Sequence, residues 1–149
     1  MATITQAIGA RTSLTVTGLG TLAAGTYVAS AAYTANTNKP LDVVIEVDAA
    51  TTNTPSGNKQ LLVFVQESLD GTNYRSGPTS GTTTTDEPNL KFLGTLPMAT
   101  ASVTQIGTFS VAPALGYCPY AFKVIVKNDL GVALTSGAVY TSEVSSAVA

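Results

Sequence analysis

The 149-residue chain predicts an all-β protein: an antiparallel β-sandwich, jelly-roll-like, with about eight strands and no significant helix. Three observations carry this expectation. Apolar and polar residues alternate over short runs, as in LDVVIEVD at 41–48 and YAFKVIVK at 120–127, which is the period of a half-buried strand. Gly, Pro, Asn and Asp punctuate these runs at roughly 8–12-residue intervals. No stretch repeats apolar residues at the spacing of an amphipathic helix.

The most apolar run, LLVFV at 61–65, organises the rest. An unbroken apolar run with β-branched residues and an aromatic predicts a strand buried on both faces. Gln66, Glu67 and Ser68 are expected to bring it to the surface. Asp70-Gly71 then turns the chain, because Gly takes φ > 0 without a Cβ penalty.

In chain order, residues 1–11 are weakly patterned and are expected to form an extended N-terminal arm. RTSLTVT at 11–17 alternates Leu14 and Val16 with threonine and reads as a half-buried strand. Gly18-Leu19-Gly20 has the beginning of a dinucleotide loop. The spacing to Gly25 is wrong, however, and no helix pattern follows, so a plain turn is expected. GTYVASAAY at 25–33 is a second strand, and residues 34–40 are loop. In 41–48, Leu41, Val43, Ile45 and Val47 are expected to face in, and Asp42, Val44, Glu46 and Asp48 out. The outward carboxylates could ligate a cation such as calcium. Side chains two apart on a strand stand about 6.6 Å apart, a poor cage, so a solvated face is the expectation.

Residues 49–58 read as loop. Residues 75–89 form the longest irregular stretch, with Gly77, Pro78, Gly81, four consecutive threonines and Pro88, which excludes a sheet interior. The neighbouring acids Asp86 and Glu87 lie in this loop and are expected to be solvated. LKFLGTL at 90–96 and VTQIGTFSV at 103–111 are strands, the latter with Val103, Gln105, Gly107, Phe109 and Val111 on one face. Pro113, Gly116 and Pro119 predict a corner. In 120–127, Tyr120, Phe122, Val124 and Val126 are expected inside, with Lys123 and Lys127 outside. Strand material follows at 132–134 and 138–144, and the tail 145–149 is expected to fray. The expected organisation is thus an arm at 1–11, one sandwich domain at 12–144 and a tail at 145–149.

Composition narrows function mainly by exclusion. Hydrophobic residues make up 44% and charged ones 11%, with a net charge of −2; an ordinary soluble domain is roughly 25% charged. A surface so poor in charge repels its own copies weakly, which favours a subunit of an assembly. The seven cations, Arg11, Lys39, Lys59, Arg75, Lys91, Lys123 and Lys127, are scattered, so no nucleic acid is expected as partner. No apolar run approaches a membrane span of roughly 18 residues, and the start of the chain does not read as a signal peptide. The chain has no histidine, which removes triad and dyad nucleophiles and the commonest transition-metal ligand. The lone Cys118 excludes an internal disulfide and fits synthesis in a reducing cytoplasm. Without an activating partner it reads as an inert buried thiol. There is no tryptophan, and Tyr117, Tyr120 and Tyr140 read as core or corner residues with their hydroxyls at the rim. No catalytic, cofactor-binding or metal-ligating residue is expected, and the chain is not expected to be an enzyme.

An ordered series of segments runs through the second half: ESLDGTNY at 67–74, a Gly/Thr loop, LKFLGTL, IGTFSVAPALGYCPYAFKVIVKNDLGVAL at 106–134, and AVYTSEV at 138–144. Over residues 41–144 this pattern resembles small β-rich virion proteins of tailed bacteriophages. The resemblance implies a structural protein of the particle, a capsid decoration (cement) protein bound to the major capsid protein on the outer surface of the virion. It further implies a homo-oligomer, with a trimer at symmetry-related positions as the expected form. It carries over no catalytic residues. The arm at 1–11 and the loop at 77–88 are the expected bridging contacts. Two alternatives stay open: a tail or head–tail connector subunit forming rings through heterologous contacts, and a carbohydrate- or receptor-binding module, against which the lack of tryptophan counts.

Overall fold

The alternating runs become two antiparallel sheets stacked face to face. A computed structural model describes residues 4–35 and 39–148; part of the expected loop at 34–40, the first three residues of the arm and Ala149 lie outside them. In chain order the strands are β1 (Ile4–Ile8), β2 (Thr12–Leu14), β3 (Tyr27–Ala29), β4 (Tyr33–Thr34), β5 (Asp42–Ala50), β6 (Gln60–Ser68), β7 (Ser80–Gly81), β8 (Lys91–Pro97), β9 (Gln105–Ser110), β10 (Ala121–Asn128) and β11 (Ser136–Val148). One short helix, α1 (Val111–Leu115), joins β9 to the corner before β10.

The first sheet has the order β1-β11-β5-β9, with β2 also on β11; the second runs β7-β3-β10-β6-β8, with β4 also on β10. β1 and β2 occupy successive stretches of one edge, against Val144–Val148 and Val139–Thr141. β3 and β4 likewise share an edge of β10, against Ile125–Lys127 and Ala121–Phe122. The expected strand at 25–33 is therefore two short ones. Residues 132–134 form no strand, and β1 and β7 are additional.

The main core lies between the sheets. β5 contributes Val43, Ile45, Val47 and Ala49; β6 contributes Leu61, Val63 and Val65; β10 contributes Phe122, Val124 and Val126, all fully buried. Leu19, on the turn expected at 18–20, closes the side of this core with its side chain against Gly137, where a Cβ would lie 2.6 Å from Leu19 Cγ. Residue parity in β5 and β10 follows the alternation, except at the ends. Leu41 is 53% exposed and Tyr120 52% exposed, because both precede the strands and have no opposite sheet to meet.

A second cluster covers the outer face of the second sheet: Tyr27, Phe64, Leu90 and Ile125, with Ala29 and Leu62 packed against it. Its cover comes from the stretch at 75–89, expected to be an open loop, together with Leu90, expected to begin the next strand. β7 pairs with β3 there, and Leu90 seats against Gly77, where an added Cβ would lie 2.4 Å from Leu90 Cδ2. The physical reason is Ile125. It is fully buried on the face of β10 opposite Val124 and Val126, so that face also needs a lid.

Gln66, Glu67 and Ser68 do not rise to the surface; all three are buried. The hairpin after them folds back along the same strand. Arg75 N–H donates to the Glu67 carbonyl at 3.0 Å, and Gln66 Nε2 donates to the Arg75 carbonyl at 2.6 Å. Asp70 holds the turn by accepting the Thr72 and Asn73 N–H groups at 2.8 and 2.7 Å, and Gly71 has φ +77° as the turn requires. At α1, Pro113 falls in the first turn, where its missing N–H costs no helical bond, and Gly116 in the left-handed region stops the helix.

The loops at the other end meet on Asn128, which is fully buried. Its Nδ2 donates to the carbonyls of Leu22 and Val132, both at 2.8 Å, and its Oδ1 accepts the Leu130 N–H at 2.9 Å. Asn128→Ala strands the Leu130 N–H and the Val132 carbonyl at once, while the Leu22 carbonyl keeps the Leu134 N–H at 3.0 Å. The substitution is expected to lower the unfolding free energy by about 3 kcal/mol, read as a lower urea midpoint at unchanged m-value.

Candidate interaction surface

The carboxylates of the chain are used to hold the protein together. Asp42, expected on an outward acidic face, accepts the Ala112 N–H at 2.7 Å and the Ser110 hydroxyl. It thereby ties the start of α1 to the start of β5. Glu46 and Asp48 do face out, but they close on Arg11. Arg11 Nε donates to Glu46 Oε1 at 2.8 Å and Nη2 to Asp48 Oδ2 at 3.0 Å. The guanidinium lies over the Tyr140 ring, 3.2 Å from its centroid, and so straps residue 11 across β11 onto β5. Burial pushes the Asp48 carboxyl up, Glu46 adds to this, and Arg11 opposes it. Among the described residues no three Asp, Glu or Cys side chains converge on a cation position.

Glu87 is not a solvated loop acid. Lys127 Nζ reaches its Oε2 at 2.7 Å, and the Tyr27 hydroxyl donates to the same oxygen. This trio pins the cover of the second sheet to β10 and β3. Its neighbour Asp86 is exposed. Cys118 is half-buried; burial, then Asp42 and Glu143, push its thiol up, which lowers the thiolate fraction and its reactivity.

Two depressions on the surface of the described residues bear on function. One, of about 410 Å³, lies between the open edges of the two sheets and is lined by residues of 9–14 and 32–34 with Thr141 and Glu143. The Tyr33 hydroxyl donates to Glu143 there, and burial together with that carboxylate pushes the phenol up. The other, of about 480 Å³, is lined by Glu67, Leu69, Asp70, Asn73, Arg75 and Tyr117 among others. Glu67 is paired with Arg75 through Oε1, while Oε2 is buried without a partner among the described residues. Tyr117 and Tyr120, expected in the core or a corner, are 43% and 52% exposed near this end of the sandwich, whereas Tyr140 is half-buried beneath Arg11.

The arm at 1–11 was expected as a contact, but its strand was not read from the sequence. Within the expected arm, β1 is a strand with every residue exposed, and Ile4 and Ile8 are 74% and 76% exposed. Its partner is the expected frayed tail, since Ser145–Val148 continue β11 and pair with Ile4–Ala7. The signal available in the sequence was the pair of isoleucines flanking Gln6 in an uncharged run. Among the described residues no helix is long and apolar enough to cross a membrane. No family model and no curated protein matches the chain.

Burial alone would raise the Glu87 carboxyl, but the Lys127 ammonium and the Tyr27 hydroxyl outweigh it and hold it below its ordinary range. Its stabilising contribution is therefore present above the unfolded carboxylate range and is lost as pH falls through the folded value. Glu87→Gln is expected to cost about 1 kcal/mol at neutral pH. In urea titrations at a series of pH values, the difference from wild type should vanish once both forms are protonated at this site.

Proposed function

We propose that the protein is a non-enzymatic structural subunit of a tailed-bacteriophage virion: a capsid decoration protein that seats on the major capsid protein, on the outer surface of the shell, and stabilises it. The observation that carries this reading is the pairing of a charge-poor all-β body with a fully exposed, uncharged edge strand. It is supported by the segment pattern over 41–144. Strand order supports the finer jelly-roll reading. With β1/β2 and β3/β4 each counted as one strand and β7 left aside, the sheets run 1-8-3-6 and 2-7-4-5. That is the order of two wrapped Greek keys, an architecture found in viral capsid and lectin domains.

Decoration works through many weak contacts whose effects multiply on a repeating lattice. The arm at 1–11 and the stretch at 77–88 are the proposed contacts with the shell. The arm is the stronger of the two, because the second segment is already committed through Leu90 and Glu87 to covering its own sheet.

A carbohydrate-binding reading is favoured by one observation, the exposed Tyr117 ring beside Asn73 and Arg75 in the larger depression. The discriminating experiment mixes purified protein with expanded shells assembled without it. Decoration predicts ordered density at repeated positions by cryo-electron microscopy and a higher melting temperature of the shell. Absence of shell binding overturns it, and binding to a glycan array in that case selects the second reading.

A further inference from the structure

β11 is 13 residues long, and β5 pairs with it only over Ser136–Val144. Beyond that point Ser145–Val148 has β1 as its partner, so the sheet narrows to a two-stranded ribbon. Such a ribbon is marginal in water unless something adds to it. The direction of its free edge follows from one hydrogen bond. Gly9 N–H donates to the Glu143 carbonyl at 2.7 Å, and bonded and non-bonded pairs alternate along an antiparallel ladder. Thr5, Ala7 and Gly9 therefore turn their backbone groups toward β11, while Ile4, Gln6 and Ile8 turn theirs outward.

The sequence of this edge, Ile-Thr-Gln-Ala-Ile, is nearly symmetric about Gln6. Laid antiparallel against a second copy of itself and centred on Gln6, it sets Ile4 opposite Ile8 of the other copy and Gln6 opposite Gln6. Every outward-facing residue then meets an outward-facing residue and exchanges both backbone bonds with it. Sliding by two residues leaves an outward residue at each end without a partner. Sliding by one sets outward groups against residues whose groups already point at β11. One register is thus preferred. Natural edges are commonly blunted by lysine, proline or a bulge; β1 has neither a charge nor a proline, so like edges meet without electrostatic opposition. The isoleucines add an apolar row, on the face that carries Val144 by the register of Ile8.

We propose that β1 is a self-association edge, to which a second copy of this chain adds its own β1 across a two-fold axis through Gln6. The two first sheets then run on as one sheet through both copies. A pairing of this kind is isologous and cannot by itself close a trimer; it links copies in pairs, including copies belonging to separate oligomers. A five-residue strand contact buries less than the roughly 1,200 Å² of a standard stable interface. Association is therefore reversible in dilute solution and strengthened wherever copies are held close together. The inference concerns the isolated protein; a β1 edge paired in this way is closed to a shell strand, so a second copy and the shell compete for it.

Sedimentation equilibrium over a range of protein concentrations tests it. Wild type is expected to show a monomer–dimer equilibrium. Ile4→Lys/Ile8→Lys places lysine opposite lysine at both ends of the pairing and should weaken association by about tenfold or more. Ile4→Lys/Ile8→Glu places lysine opposite glutamate and should restore it, now with salt sensitivity. Gln6→Pro removes the central outward N–H while sparing the bonds to β11, and should leave a monomer whose circular dichroism and melting match wild type. Wild type monomeric at its highest soluble concentration overturns the proposal, as does an assembly unmoved by the double-lysine variant. Loss of shell binding in the double-lysine variant, with wild type monomeric alone, overturns it in favour of a shell strand as the occupant.

Discussion

Strand β10 carries fully buried apolar side chains on both faces, and the rest of the structure is arranged around that constraint. Phe122, Val124 and Val126 need one cover and Ile125 needs another. The first sheet supplies the inner cover. The stretch at 75–90 supplies the outer one, with Leu90 as its apolar anchor and Glu87 as its polar one. Full burial of side chains such as Ile125, Phe64 and Leu90 contributes about 1.5–3 kcal/mol each. That gain offsets the entropy of ordering a long segment rich in Gly and Thr, which has little tendency to order by itself.

With only nine acidic residues, few carboxylates are left over for anything but structure. Asp42 ties α1 to β5, Glu46 and Asp48 clasp Arg11, and Glu67 pairs with Arg75. Asp70 forms its turn, Glu87 meets Lys127, Asp129 accepts from Asn58 Nδ2 at 2.6 Å, and Glu143 meets Tyr33. Such pairs fix where segments dock more than they add net stability, since desolvation offsets much of their attraction. The contacts proposed above accordingly draw on a backbone edge and apolar side chains.

The sandwich was legible because alternation in 41–48 and 120–127 states directly which side chains need burial. Periodicity does not say which distant segment provides the burial, and the differences all arise there. Gln66–Ser68 reads as surface because its cover, the returning hairpin, is polar backbone. The stretch at 75–89 reads as open because it holds no large apolar residue of its own; its apolar anchor, Leu90, reads as the start of the next strand. Residues 4–8 and 145–148 each lack a pattern alone and become strands only by meeting each other, across almost the whole chain. Asp42, Glu46 and Asp48 were visible as a row of acids, but their partners Ala112 and Arg11 come from remote segments.

The register that sets Ile4 opposite Val148 and Ile8 opposite Val144 also decides how this part of the molecule answers to force. A load that separates Ile4 from Val148 acts across the end of the ladder and opens it one rung at a time, as a zipper opens. Such a load would meet its first real resistance at Arg11, where the guanidinium strap crosses Tyr140 to Glu46 and Asp48. The ribbon is thus a compliant element in series with a stiff body: it can yield and re-form while the sandwich behind it keeps its shape.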